Sequence, residues 1–135
     1  MPLLLWGPML EVGVKEIDNQ HRKLVDLANE LADALKSGHG KEVLGKILTE
    51  LVRYTQTHFT TEERLMDQHK YPAAADHKQL HKELVKTVTD FKGKFDRGDA
   101  SLTDDLMNFL RDWLTKHIMN IDKALARDLK GKGVA

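Results

Sequence analysis

The chain has 135 residues, 41% apolar and 31% charged, which describes one ordinary globular domain long enough to bury a sizeable core. Lysine plus arginine and aspartate plus glutamate number 21 each, so the formal net charge is zero and the basic footprint of a nucleic-acid partner is missing. The absence of cysteine excludes disulfides, thiolate metal sites and cysteine nucleophiles, and fits a reducing cytoplasm.

The N-terminal "MPLLLWGPML" is apolar but is broken by Pro2, Gly7 and Pro8 and lacks the basic region of a secretory signal. It is also shorter than the roughly 20 apolar residues a membrane span needs. It reads as an arm, residues 1–17, packed over the domain; the other use for Leu3, Leu4, Leu5 and Trp6 would be a weak membrane contact. Helical periodicity follows throughout. A first helix is expected from Asp18, as N-cap, to Lys36, with Ile17, His21, Leu24, Ala28, Leu31 and Leu35 inward and "SGHGK" ending it. A second spans Lys41 to Asp67, with Leu44, Ile47, Leu48, Leu51, Tyr54, His58, Glu62 and Leu65 on its stripe.

Tyr71 and Pro72 mark a turn, with Pro72 suited to the first turn of a third helix reaching Phe95. That helix carries His77, His81, Leu84, Val88, Phe91 and Phe95. After "DRGDAS", Ser101 and Asp104 resemble a capping box for a fourth helix, Leu102 to Leu129, bearing Leu106, Leu110, Trp113, His117 and Ile121. "KGKGVA" reads as a frayed tail, residues 131–135. Short connections between four long amphipathic helices make the expected fold all-α: an up-down-up-down antiparallel four-helix bundle, residues 18–130.

In such a bundle the start of the first helix (His21), the end of the second (His58, Glu62), the start of the third (His77, His81) and the end of the fourth (His117) share one end. All of these residues stand in register with the leucines. Five imidazoles buried without partners would cost on the order of 1–3 kcal/mol each, and protonating them together would be worse. Metal ions supply the missing partners and accept neutral imidazole. Asp122 is five residues beyond His117, which takes it off that face of a regular helix unless the helix widens into a π-bulge or the carboxylate reaches across. Judged alone it is more often a solvated aspartate than a ligand. It gains weight because Glu62 wants a bridging partner in the same layer.

Two six-coordinate metals offer twelve positions; five histidines, two bridging carboxylates and a shared oxo or hydroxo bridge take eleven, leaving one for a small exogenous ligand. The donor set suits iron, though also zinc, manganese and copper. Carboxylate-rich di-iron enzymes use paired Glu-x-x-His motifs, which this chain lacks. Fewer anionic ligands favour reversible dioxygen binding over oxidative turnover. His39, in the glycine-rich turn, reads as solvated, His69 as loop packing, and Met66, Met107 and Met119 as core filler.

His21, His58-x-x-x-Glu62, His77-x-x-x-His81 and His117-x-x-x-x-Asp122 together resemble the ligand signature of the hemerythrin family. The run "W......GV..ID.QH", Trp6 to His21, is similar to its bacterial single-domain branch. The resemblance covers essentially the whole chain and implies a non-haem di-iron oxygen-binding protein with two iron ions and no separate catalytic residue. His77, His81 and His117 would hold one iron, His21 and His58 the iron with the open position, and Glu62 and Asp122 would bridge. Dioxygen would bind end-on to the open iron as hydroperoxide, taking two electrons from the pair and a proton from the bridge. Matching positions for the family's apolar oxygen pocket are Leu24, Phe59, Trp113, Leu114 and Ile118.

What the resemblance implies first is an oxygen carrier, store or delivery protein, not an enzyme, working in the cytoplasm as a monomer. Its partners would be dioxygen and an oxygen-consuming enzyme as recipient. An oxygen or redox sensor module is the second class, disfavoured because 135 residues leave no room for an output domain. A di-iron enzyme acting on peroxide or nitric oxide is the third, disfavoured because no acid–base residues stand beyond the ligands.

Overall fold

A computed structural model describes residues 4, 6–8, 10–38, 41–98 and 102–135, without side-chain placement at 41, 102–104 and 119. Leu3, Leu5, His39, the Ser101–Asp104 box and the Met119 side chain therefore lie outside the described residues. Helix α1 spans Lys15–Lys36, α2 Lys41–Gln68, α3 Ala74–Asp96 and α4 Leu102–Lys116. A π-helical turn, His117–Asp122, joins α4 to α5, Lys123–Gly131, so that the three form one fourth rod. Each helix packs on the next, and α4 closes against α1, giving the four-helix bundle expected from the periodicity. Among the described residues no helix is long and apolar enough to cross a membrane.

The interior is filled by Ile17, Leu24, Leu31, Leu48, Leu51, Met66, Leu110, Leu114, Ile118, Leu125 and Leu129, all essentially inaccessible to solvent. Each such burial is worth about 1.5–3 kcal/mol of transfer free energy. Tyr54, expected inward, is half-buried; Thr55 is buried beside it, its hydroxyl satisfied by the Leu51 carbonyl at 2.7 Å. Met66 is buried core filler as expected, Met107 is half-buried, and His69 is half-buried at the end of α2.

Four local expectations are corrected. Asp18 is not the N-cap of α1, which begins three residues earlier behind an extended Val14. Asp18 instead reaches back from inside the first turn, accepting the backbone N–H groups of Val12 at 2.7 Å and Gly13 at 3.0 Å. Pro72 precedes α3 rather than entering it: the Ala74 N–H bonds the Tyr71 carbonyl at 3.1 Å in a turn first. Ile121 is only half-buried, because the π turn moves the inward stripe on by one residue to Asp122, Leu125, Ala126 and Leu129. Where the sequence suggests a frayed tail, the rod ends in a Schellman arrangement. Gly133 is left-handed at φ 87°, its N–H bonds Lys130, and the Val134 N–H bonds the Leu129 carbonyl at 3.0 Å.

The arm before α1 lies on the bundle. Asn29 brackets Leu4 with two hydrogen bonds of 2.8 Å, Trp6 packs against the core under the Arg22 guanidinium, and Leu10, Val12 and Val14 are buried. Gly13 turns the arm into α1 at φ +94°, where a Cβ would stand 2.6 Å from the Lys130 ammonium. Asp18→Ala frees two backbone donors at this junction and is expected to destabilise the chain by about 1–3 kcal/mol in urea denaturation, the usual loss for hydrogen bonds to a charged group. An unchanged midpoint would show that the arm contributes nothing to the bundle.

Candidate metal centre

Seven predicted side chains meet at one end of the bundle, inside it. His21 comes from α1, His58 and Glu62 from α2, His77 and His81 from α3, and His117 and Asp122 from the two ends of the π turn. Residues four apart on α2 and α3 share a face because four residues is close to one α-helical turn. His117 and Asp122 are five apart, and i→i+5 bonding widens the turn enough to return both to the same face. His117 retains 8% of its accessible surface and the other six 3% or less.

The donor atoms form two groups, each with all its members within 4.8 Å of one another. One contains His77, His81 and His117, the other His21 and His58, and Glu62 and Asp122 belong to both. Asp122 Oδ2 lies 2.7 Å from His21 Nε2, while its Oδ1 lies 3.1 Å from His77 Nε2 and 3.0 Å from His117 Nε2. Glu62 Oε1 lies 3.1, 3.5 and 3.7 Å from the Nε2 atoms of His81, His58 and His77. Each carboxylate thus faces histidines of both groups.

Short distances do not make this a satisfied hydrogen-bond network. Nε2 of His58, His77 and His117, Glu62 Oε2 and Asp122 Oδ1 are buried with no partner in hydrogen-bonding geometry. Buried polar atoms left so would each cost about 1–3 kcal/mol. Lone pairs converging from several helices on a shared space are satisfied together by a cation, so the donor set fits metal ions.

Electrostatics agrees. Burial pushes the Glu62 carboxyl up and the neighbouring Asp122 charge adds to that, but His58, His77 and His81 outweigh both and bring it down to about 2. Burial likewise opposes the Asp122 anion, and the charge of the adjacent His117, with the close approach of the His21 and His58 rings, holds its carboxyl well below the usual range. Burial pushes the His77 imidazolium down; Asp122 and Glu62 overcome it and raise His77 to about 9. The protein holds two anions here, and without metal it must hold protons with them.

Beside the two-histidine group lies a cavity of about 10 Å³, lined by His21, Leu24, His58, Phe59, Trp113, Leu114, His117, Ile118 and Asp122. All five predicted pocket residues are on this wall, and the volume is close to that of one water-sized probe. Phe59 also stacks flat on His81, ring centroids 3.8 Å apart. The sequence reading missed Gln20 and Glu63, which hold the outer nitrogens of His58 and His81 at 2.7 and 3.1 Å. Their one available signal was adjacency: Gln20 precedes His21 and Glu63 follows Glu62, but both act across to another helix.

A four-helix bundle that closes five imidazoles and two shared carboxylates around neighbouring cation positions is a histidine-rich metal-binding bundle. The chain belongs to the hemerythrin family: the profile of the hemerythrin HHE cation binding domain matches residues 12–129. Among similar proteins, the bacteriohemerythrin of Stenotrophomonas maltophilia is 36% identical over 130 residues, covering 96% of this chain and 84% of that protein. The bacteriohemerythrin of Methylococcus capsulatus is 36% identical over 91% of this chain and 94% of its own. A crystal structure of wild-type hemerythrin superposes with a TM-score of 0.87 at 34% identity, covering 94% of this chain and 98% of that one.

The pairing sets a pH dependence for the metal-free protein. His77, raised from 6.5 to about 9, contributes stability that is complete below pH 6.5 and lost as pH rises through 9. Glu62, lowered from 4.5 to about 2, contributes stability present above 4.5 and lost as pH falls through 2. Metal-free protein is therefore expected to be most stable between 4.5 and 6.5. Metal loading, which displaces protons, should shift that optimum upward. Urea denaturation in chelator across this range checks it; a metal-free midpoint that climbs above neutrality would contradict the pairing.

Proposed function

We propose that the chain reversibly binds dioxygen at a non-haem di-iron centre, carrying, storing or delivering it to an oxygen-consuming enzyme, and is not itself an enzyme. The observation that supports this most is the inequality of the two groups: three histidines in one, two in the other, with the apolar cavity lined by both of the two and by His117 alone of the three. His77, His81 and His117 would hold one iron, His21 and His58 the other, and Glu62 and Asp122 both. Two ferrous ions there would supply the pair of electrons that reversible dioxygen binding takes.

The residues around them do the rest. Two carboxylates set against five neutral imidazoles would give the ions a low ligand charge, which would favour their reduced state. Leu24, Phe59, Trp113, Leu114 and Ile118 would wall the ligand position, excluding water and protons that would otherwise convert reversible binding into permanent oxidation. On this reading residues 18–130 are the di-iron domain, residues 1–17 its arm, and the protein works as a cytoplasmic monomer.

The deciding experiment is the visible spectrum of anaerobically reduced, iron-loaded protein before oxygen, after oxygen and after an argon purge. A band that appears with oxygen and leaves with it is the expected outcome; one that never forms, or never leaves, overturns the proposal. Replacing Leu114 or Ile118 with Asn should accelerate autoxidation on the order of tenfold, equivalent to about 1.4 kcal/mol of barrier. Native-like oxidation rates in both variants would remove those two residues from the pocket's function.

A further inference from the structure

The seven central residues leave unexplained why two of the imidazoles are held from behind by chemically different groups. The Thr61 hydroxyl donates to the Thr57 carbonyl at 3.2 Å, so its oxygen remains to accept from the Gln20 Nε2 group at 3.0 Å. That bond settles which end of the Gln20 amide is which: nitrogen toward Thr61, carbonyl toward His58. An amide oxygen only accepts, so His58 Nδ1, 2.7 Å away, carries the proton and donates it. A neutral imidazole has one N–H, and the lone pair of His58 Nε2 is thereby turned toward Glu62 and Asp122. The relay runs from α2 to α1 and back to α2.

At the other group the arrangement is the same but the chemistry is not. His81 Nδ1 donates to the Glu63 carboxylate at 3.1 Å. An anionic acceptor draws the N–H proton more strongly than an amide, makes the opposite nitrogen a stronger donor and stabilises a higher metal charge. We infer that Gln20 is the positioning residue of the two-histidine site, and that its neutrality, against the Glu63 carboxylate behind His81, makes the two metal positions electronically unequal. This rests on the di-iron reading in one respect only: the inequality leaves the ion beside the cavity as the one less stabilised when oxidised, so that Gln20 restrains autoxidation.

The test separates the geometry from the oxygen chemistry. Protein labelled with ¹⁵N-histidine and loaded with zinc(II), a redox-silent probe, should show a protected His58 Nδ1–H signal by NMR. Gln20→Glu should move it downfield, and Gln20→Leu should abolish its protection and weaken zinc binding ~10–100-fold, the usual cost of losing such a partner. Thr61→Val, which only frees the amide to turn, should reduce the protection and serves if the leucine variant fails to fold. A His58 signal equally protected in Thr61→Val or Gln20→Leu overturns the positioning role.

For the inequality, midpoint potentials of iron-loaded protein under argon should rank Glu63→Gln above native and Gln20→Glu below it. Coincident potentials overturn that half. Should native protein fail to bind oxygen reversibly while the zinc signals and the ranking hold, the oxygen-carrier reading falls and the role of Gln20 stands.

Discussion

Two carboxylates buried within reach of the same imidazoles are the constraint from which the rest of this molecule follows. Glu62 and Asp122 are fully enclosed; burial drives both toward the neutral form, and the Asp122 charge drives Glu62 further the same way. Only positive charge delivered inside the bundle keeps both as anions. His77, raised to about 9, can supply it as a proton, or the five histidines can hand the task to cations and act as ligands. The second arrangement also satisfies the ring nitrogens that the first leaves in poor geometry. Leu24, Phe59, Trp113, Leu114 and Ile118 wall one side of the cluster with apolar surface.

Much of this was legible in the chain because helical registers repeat. Four-residue spacings on α2 and α3 put His58 with Glu62 and His77 with His81 on inward faces, and short turns put these with His21 and His117 at one end. Expectations failed where a side chain acts on backbone outside its own helix. Asp18 has the composition of an N-cap, yet it satisfies donors in the arm, a service no propensity records. Pro72 has a preference for the first turn of a helix, but a separate turn stands between it and α3. Ile121 failed for a different reason: a single helical period drawn through the fourth rod cannot anticipate the register change that also brings Asp122 inward.

The partners behind the imidazoles were the least legible part of the site. Gln20 and Glu63 stand next to predicted ligands, so that on a helical wheel they fall to the side and read as surface. Their function depends on the neighbouring helix lying at hydrogen-bonding distance, which is a property of packing and not of spacing. Once the bundle is assembled, an amide stands behind one ring and a carboxylate behind another, in two donor groups that share both Glu62 and Asp122.

The π turn has a further consequence, which concerns chain length. Its six residues, His117 to Asp122, do the geometric work of a regular segment one residue shorter. Removing one residue from the interval between them would let the fourth rod run as an unbroken α-helix, with better backbone bonding and the same leucines facing inward beyond it. The product would keep the pair on one face, its members now four positions apart as on α2 and α3, so facing alone does not require the extra residue. What the extra residue changes is the local backbone: between His117 and Asp122 the rod gives up regular α-helical bonding, and beyond it Leu125, Ala126 and Leu129 still face inward.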